Sequence, residues 1–298
     1  MSTDGVRGYR AHMLTRRLGR TGHWSSVAVL GGAAFWGTGP DLTATAFAAA
    51  LEAGVNHLDV APRYGRAQEL LGPLIPAVRD RLFVACKTMR HDPGGVRAQL
   101  EESLTLLQCE SFDLYQMHAV TDLDELGRRG AAAAEILRAR DEGLCRFAGI
   151  TGHNLTTPAA QLEALRRYDL DTVMFPVNPR LWADAEYRRD AEALLAEADA
   201  RDIGVMAIKA VAARPWGERP DSATTWYEAY TGEEEIERGV RFVLGTPGVH
   251  ALCTPSDPGL AATTIAAAGR YEAMTDDERA AAMAATAGEA HIFPMPVG

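Results

Sequence analysis

Residues 82–118 read LFVACKTMRHDPGGVRAQLEESLTLLQCESFDLYQMH, and the order of patterns in this stretch decides the fold. A short apolar run from Leu82 to Cys86 ends in Lys87. Val96, Leu100, Leu104 and Leu107 then recur at three- and four-residue spacing, the period of one helix face, and a second run from Phe112 ends in His118. Strand, helix and strand in this order form a βαβ unit, whose crossover makes the two strands parallel.

The same alternation extends in both directions. Strand-like runs fall at Val27–Gly31, Asn56–Asp59, Leu82–Lys87, Phe112–His118, Arg146–Thr151, Thr172–Val177, Gly204–Lys209 and Val249–Thr254. Helix-like stretches follow each at Ala44–Ala53, Ala67–Val78, Gly94–Leu107, Asp124–Glu142, Pro158–Tyr168, Tyr187–Arg201, Glu233–Leu244 and Pro258–Ala268. Gly54, Gly143 and Gly204 stand where a helix must stop before the next strand. Eight such units predict an α/β fold, a (β/α)8 TIM barrel. A doubly wound sheet is the rival, but Gly31-Gly32-Ala33 lacks the G-x-G-x-x-G spacing of a dinucleotide fingerprint. The reading is one domain over residues 1–298, with 1–13 an N-terminal extension. Leu14–Val29 is read as a β-hairpin turning at Arg20-Thr21-Gly22-His23 beneath the barrel, and Asp276–Gly288 as an extra C-terminal helix capped by Thr275.

Composition narrows the functional classes. The 298 residues are 47% hydrophobic and 23% charged, with a formal charge of −10, and arginines are dispersed among acids, so no phosphate-backbone footprint forms and nucleic acid is not an expected partner. The longest apolar runs fall short of the roughly 20 residues of a membrane helix, and Met1–His12 is polar, so no membrane and a cytoplasmic setting are expected. Cys86, Cys109, Cys145 and Cys253 show no metal-ligand spacing and read as free thiols, with no metal. Of the 30 basic residues only Lys87 and Lys209 are lysines, which singles out two positions where a compact cation with an adjustable pKa stands.

In parallel barrels chemistry sits at the carboxyl ends of the strands. Asp59, Lys87 and His118 end the second, third and fourth runs, and Tyr64 lies five residues beyond Asp59. A buried lysine needs a counter-charge, which Asp59 supplies; a cation beside a phenol lowers the phenol pKa from about 10 and makes Tyr64 a proton donor.

The segments N56-HLDVAPRYG, V84-ACKT and D113-LYQMH, with R17-LGRTG near the start and the later R146-FAGITGH, resemble the aldo-keto reductase superfamily over nearly the whole chain. That resemblance implies hydride transfer between a nicotinamide and a carbonyl or alcohol, with Tyr64 as general acid, Lys87 tuning it, Asp59 fixing Lys87, and His118 orienting the carbonyl. It also implies cofactor contacts from Gly32, Thr151, Gly152, Lys209, Pro255, Ser256 and Asp257; Trp36, His153 and Trp226, in expected loops on the active face, are read with His118 as the substrate pocket. Met174 and Ile208 stand where the family commonly has an amide-binding glutamine and a stacking ring. Family habit points to NADPH. With no Lys or Arg between Arg241 and Arg270, and Asp257 near the ribose, NADH fits as well. Two other readings stay open: a Lys-dependent aldolase or lyase, with Lys209 as the Schiff-base amine, and a nicotinamide-binding regulatory subunit that senses redox state.

Overall fold

The computed structural model describes residues 13–220 and 223–293. Eight parallel strands close into a barrel: β1 (Ala28–Gly31), β2 (His57–Asp59), β3 (Phe83–Thr88), β4 (Phe112–Met117), β5 (Cys145–Thr151), β6 (Thr172–Pro176), β7 (Gly204–Ile208) and β8 (Ala251–Cys253), with β8 bonded to both β7 and β1. This is the TIM barrel expected from the alternation, and helices surround it.

Side-chain parity along the strands divides the core in two. Val84, Cys86, Tyr115 and Met117 pack outward against the helices. Val29, Phe83, Ala85, Leu114, Met174, Met206, Ile208 and Ala251 point inward and fill the barrel's lumen. Counting on by twos from Phe83 and Leu114 puts Lys87, Gln116 and His118 on the inward row, which a buried charge tolerates only when paired.

The hairpin lies where it was expected. Thr15–Arg17 pairs antiparallel with Trp24–Ser26, and between them Leu18, fully buried, joins the inward cluster and plugs the barrel from below. Gly204 has no Cβ because one would meet the Leu18 side chain at 2.8 Å. The C-terminal helix runs Asp276–Thr286, and Thr275 and Glu278 form a reciprocal capping box. Of the expected N-terminal extension, residues 1–12 lie outside the described residues; Met13 is buried in the outer core.

Two helical expectations are corrected, and one element was not expected. Ala67–Val78 is a helix only over Ala67–Leu71, because Gly72 and Pro73 tighten the chain into a 3-10 turn. The stretch Asp124–Glu142 is two helices, Leu123–Arg128 and Gly130–Asp141, broken at Arg129, whose side chain turns inward. After β7 the chain adds a two-stranded ribbon, Ala212–Arg214 with Glu228–Ala229, that no apolar periodicity announced.

Beneath the barrel, His57 is fully buried. Its Nδ1 meets Ser25 Oγ at 2.9 Å, its ring lies edge-on to Phe83 at 4.6 Å, and His23 stacks on the same phenyl at 4.4 Å. Burial above all, then the neighbouring His23 and Lys87, holds the His57 imidazole well below the ordinary value of 6.5; burial lowers His23 too. The unfolded rings take up protons as pH falls through 6.5 while the folded His57 ring stays neutral, so its contribution to stability is complete above that pH and declines below it. Urea unfolding at pH 7.5 and 5.5 should show that His57→Gln loses about 1 kcal/mol less than the parent chain over this interval. An identical decline in the two proteins would remove His57 as the cause.

Candidate active site

The carboxyl ends of the strands open onto a cavity of about 510 Å³, lined by Asp59, Tyr64, Lys87, His118, His153 and Lys209 among others. At its floor, Asp59 at the end of β2 and Lys87 on β3 form an ion pair through Oδ2 and Nζ, with both side chains at most 3% exposed. The pair is completed from its neighbours: Gln116 Nε2 donates to Asp59 Oδ1 at 3.0 Å, and Lys87 Nζ reaches the Val60 carbonyl at 3.4 Å. Burial disfavours the Lys87 cation, but Asp59 foremost, with Tyr64 and Cys253, more than offsets this and raises its pKa. Lys87 is therefore a permanent charge in a dry site.

Tyr64 sits in the turn after β2, its N–H bonded to the Ala61 carbonyl at 3.1 Å. Lys87 Nζ lies 5.3 Å from the centre of its ring; His118 stands edge-on at 5.9 Å and Trp226 tilts against it at 6.4 Å. Here the structure corrects the sequence reading: burial raises the Tyr64 phenol to about 12, and the Lys87 charge pulls down against that larger effect without reversing it. Tyr64 thus carries its proton at neutral pH, the state a donor requires.

His118 follows β4 and is buried, and burial, then Lys87, His153 and Arg129, holds it well below 6.5, so the ring is neutral. His153 lies edge-on to it at 5.6 Å and is lowered to about 3 by burial and by Lys209 and Lys87. Behind His118, the fully buried Arg129 donates to the carbonyls of His118 (3.2 Å), Arg90 (3.1 Å) and Thr88 (3.4 Å), and to Glu125 Oε1 at 2.5 Å. It ties the chain just beyond Lys87 to the chain at His118. The sequence reading missed it; its signal was an arginine set between Gly127 and Gly130 in an otherwise helical stretch.

Lys209 follows β7 with φ +71°, a left-handed conformation that a side chain normally avoids. Its Nζ stands 4.7 Å from the Tyr227 ring centre and 5.8 Å from that of Trp226, and burial lowers its pKa to about 8. Among the described residues no carboxylate is within ion-pair distance of it.

Trp36, His153, Lys209, Trp226, Pro255 and Ser256 reach the cavity, as do Met174 and Ile208. Gly32, Thr151, Gly152 and Asp257 are not on its wall. Gly32 turns away from the cavity, toward the outer core, where a Cβ would meet the Val60 side chain at 2.8 Å; its neighbours Gly31 and Ala33 line the cavity instead. The Thr151 hydroxyl accepts from Ala119 N at 3.2 Å, and Gly152 packs against the Val120 carbonyl and Thr157. Asp257 caps the helix Pro258–Gly269, accepting from Leu260 N and from the Thr224 hydroxyl, both at 2.8 Å. Arg63, Arg219, Asn154, Cys253 and Thr254 line the cavity in addition.

Residues 28–218 match the model of the aldo/keto reductase family, and the chain belongs to that family. Among curated proteins it is 28% identical over 152 residues to the oxidoreductase YqkF of Bacillus subtilis, covering 45% of this chain and 48% of that protein. The chain spans a third to a half of the length of the curated relatives it matches. Among solved structures, PA4992 of Pseudomonas aeruginosa, a candidate aldo-keto reductase, superposes with a TM-score of 0.70 at 25% identity, over 87% of this chain and 96% of that one. The holo form of aldo-keto reductase AKR11C1 from Bacillus halodurans gives 0.71 at 18% identity, over 95% and 99%, a likeness of fold.

Removing the Arg129 guanidinium would take from Glu125 its closest cation, leaving Arg128 at 2.8 Å, and would take a donor from three carbonyls, of which Thr88 keeps the His118 N–H at 2.8 Å. Arg129→Met should cost about 2 kcal/mol or more in urea unfolding, as leaving buried carbonyls without a donor does. A loss under about 1 kcal/mol, the scale of an exposed pair, would show that these contacts bear little of the fold.

Proposed function

We propose that this chain is a nicotinamide-dependent oxidoreductase that reduces a small carbonyl compound, or oxidises the matching alcohol. The observation that carries the reading is a protonated phenol, Tyr64, held beside a permanently charged and fully paired lysine at the floor of a cavity.

Tyr64 acts as general acid: its O–H proton passes to the carbonyl oxygen, and the phenolate left behind lies next to the Lys87 cation, which stabilises it. Asp59 keeps Lys87 charged and fixed, and Gln116 keeps Asp59 in place. His118, neutral, donates a hydrogen bond that orients the carbonyl without competing for the proton. The nicotinamide, when bound, supplies the hydride to the carbonyl carbon. The cavity wall suits such a dinucleotide: Lys209 offers a cation with no carboxylate partner among the described residues, and Pro255 and Ser256 present the chain after β8 to it. The free thiols support a cytoplasmic setting.

A second reading rests on Lys209, an amine lowered to about 8 in a cavity that takes carbonyls, which is the condition for an imine-forming lysine. Borohydride reduction in the presence of an aldehyde would leave a covalent adduct on Lys209 if that reading holds and none if the nicotinamide reading holds. A chain that binds nicotinamide yet turns over no aldehyde would instead be a redox-sensing subunit.

Tyr64→Phe should lower turnover of an aldehyde panel by at least about 10²-fold while the nicotinamide dissociation constant, read by fluorescence titration, stays near the parent value. Lys87→Arg should also be poorly active, since a planar fork cannot replace a compact ammonium between Asp59 and Tyr64; full activity would exclude Lys87 from the mechanism. The same titration addresses cofactor choice. Because Asp257 already caps the helix after β8, a 2′-phosphate gains little there, and NADPH should be preferred over NADH by no more than about thirtyfold, or about 2 kcal/mol. A preference above a thousandfold would require a charged side chain on the phosphate, for which Arg219 is placed on the cavity wall.

A further inference from the structure

The His118 ring is held by few contacts of its own. Among the described residues its Nδ1 has no hydrogen-bond partner, and its aromatic neighbours, Tyr64 at 5.9 Å and His153 at 5.6 Å, meet it edge-on. A working histidine commonly takes its orientation from a hydrogen bond at the second ring nitrogen; here the aim of the ring follows from its backbone. That backbone stands where a sheet ladder runs out. The pairing of β3 with β4 ends at Thr88 and Met117, with a last bond from His118 N to the Thr88 carbonyl at 2.8 Å. The two chains then part. Arg90 N turns back to Thr88 Oγ1, which itself donates to Gln99 of the following helix, while Ala119, at φ +59°, donates its N–H to Thr151 Oγ1 on β5. Arg129 spans the gap between them. Its guanidinium, 1% exposed, gives Nη2 to the His118 carbonyl and Nη1 to the carbonyls of Arg90 and Thr88, and Glu125 Oε1 fixes Nε. A planar fork with five donors serves three carbonyls and a carboxylate at once, which a compact ammonium cannot do.

We propose that Arg129 is a positioning residue for the reaction: it takes the place of the next rung between β3 and β4 and so keeps the His118 ring aimed at the oxygen that Tyr64 protonates. The role rests on the proposed carbonyl reduction and adds to it a residue that is not on the cavity wall and acts through the chain it holds. Misplacing an orienting group by about 1 Å can cost about 10²-fold in rate. The bonds that remain without Arg129, His118 N to Thr88 and Ala119 N to Thr151, limit how far the ring moves, so the loss is smaller than that.

Steady-state reduction of the best aldehyde of the panel, with nicotinamide affinity from fluorescence titration, tests it in Arg129→Gln and Glu125→Gln. Each change is made in the parent chain and in His118→Ala, assayed at high enzyme concentration and at a temperature where circular dichroism shows the chain folded. In the parent, Arg129→Gln should lower kcat by about 10- to 30-fold, while KM for the aldehyde and the nicotinamide dissociation constant change by less than about threefold. Glu125→Gln keeps the guanidinium but removes the charge that fixes Nε, and should lower kcat by about fivefold; it decides the matter if Arg129→Gln does not fold. In His118→Ala both changes should lower kcat by less than about twofold, since the ring they aim is gone and residues that act through one another are not additive. The same fold-loss in both backgrounds would overturn the inference, because Arg129 would then support the site as a whole. So would an unchanged kcat, or a loss of nicotinamide affinity equal to the loss of kcat. A parent chain inert toward every aldehyde removes the proposed function and this role with it, a result distinct from an active chain indifferent to position 129.

Discussion

A lysine inside a barrel is stable only with its counter-charge, and most of the site's architecture follows from satisfying Lys87. The carboxylate comes from β2, one strand over; the amide that fixes the carboxylate comes from Gln116 on β4. Gln116 in turn needs room that β5 provides, because a Cβ on Gly149 would meet Gln116 Cγ at 3.0 Å and Thr172 Oγ1 at 2.2 Å. Four consecutive strands are thereby committed to one register. A slip of one residue in any of them would turn a charge or an amide out among the helices, where nothing pairs it.

The lower half of the lumen makes this pair effective. Leu18, Val29, Phe83, Leu114 and Met206 exclude water beneath it, so the Lys87 charge acts on Tyr64 through little solvent. The same dryness explains why the phenol is raised even though a cation stands near: desolvation of a phenolate is the larger effect until a reaction generates that charge in place. Among the described residues, Gln108 and Asp202 take left-handed φ values away from the cavity, and two further non-glycine residues do so on its rim. Ala119 after β4 and Lys209 after β7 both take left-handed φ values, +59° and +71°, and both border the cavity.

The alternation of strands and helices was legible because six of the eight β-runs end in a polar or charged residue, all but those closing at Gly31 and Val177, and because the helices keep an apolar face. Asp59, Lys87 and His118 were legible for the same reason: a charged or ring residue closing an apolar run stands out, and parity puts all three in the lumen. What sequence could not reach depends on the third dimension. Arg129 was hidden inside a continuous helical pattern, since its break arises from a side chain pulled toward three carbonyls that lie far off in the chain. Thr151 and Asp257 carry groups suited to a cofactor, yet a backbone N–H of the fold takes each of them first. The net direction of the Tyr64 shift was out of reach as well, because it turns on how much water the surrounding side chains remove.

The segment between β7 and β8 has another meaning. Its ribbon, Ala212–Arg214 with Glu228–Ala229, closes a loop that brings Arg219, Trp226 and Tyr227 to the cavity, and Thr224 pins the loop to the chain after β8 through Ser256 and Asp257. None of the four barrel strands that build the charged pair contributes to it. Because its ends are fastened, the loop can lengthen or change composition at small entropic cost without disturbing the barrel. The fold therefore separates what is tightly constrained from what is free to vary: the buried charged pair is written into strands β2 to β5, and the far wall of the cavity can change in a ribbon-closed insert elsewhere in the chain.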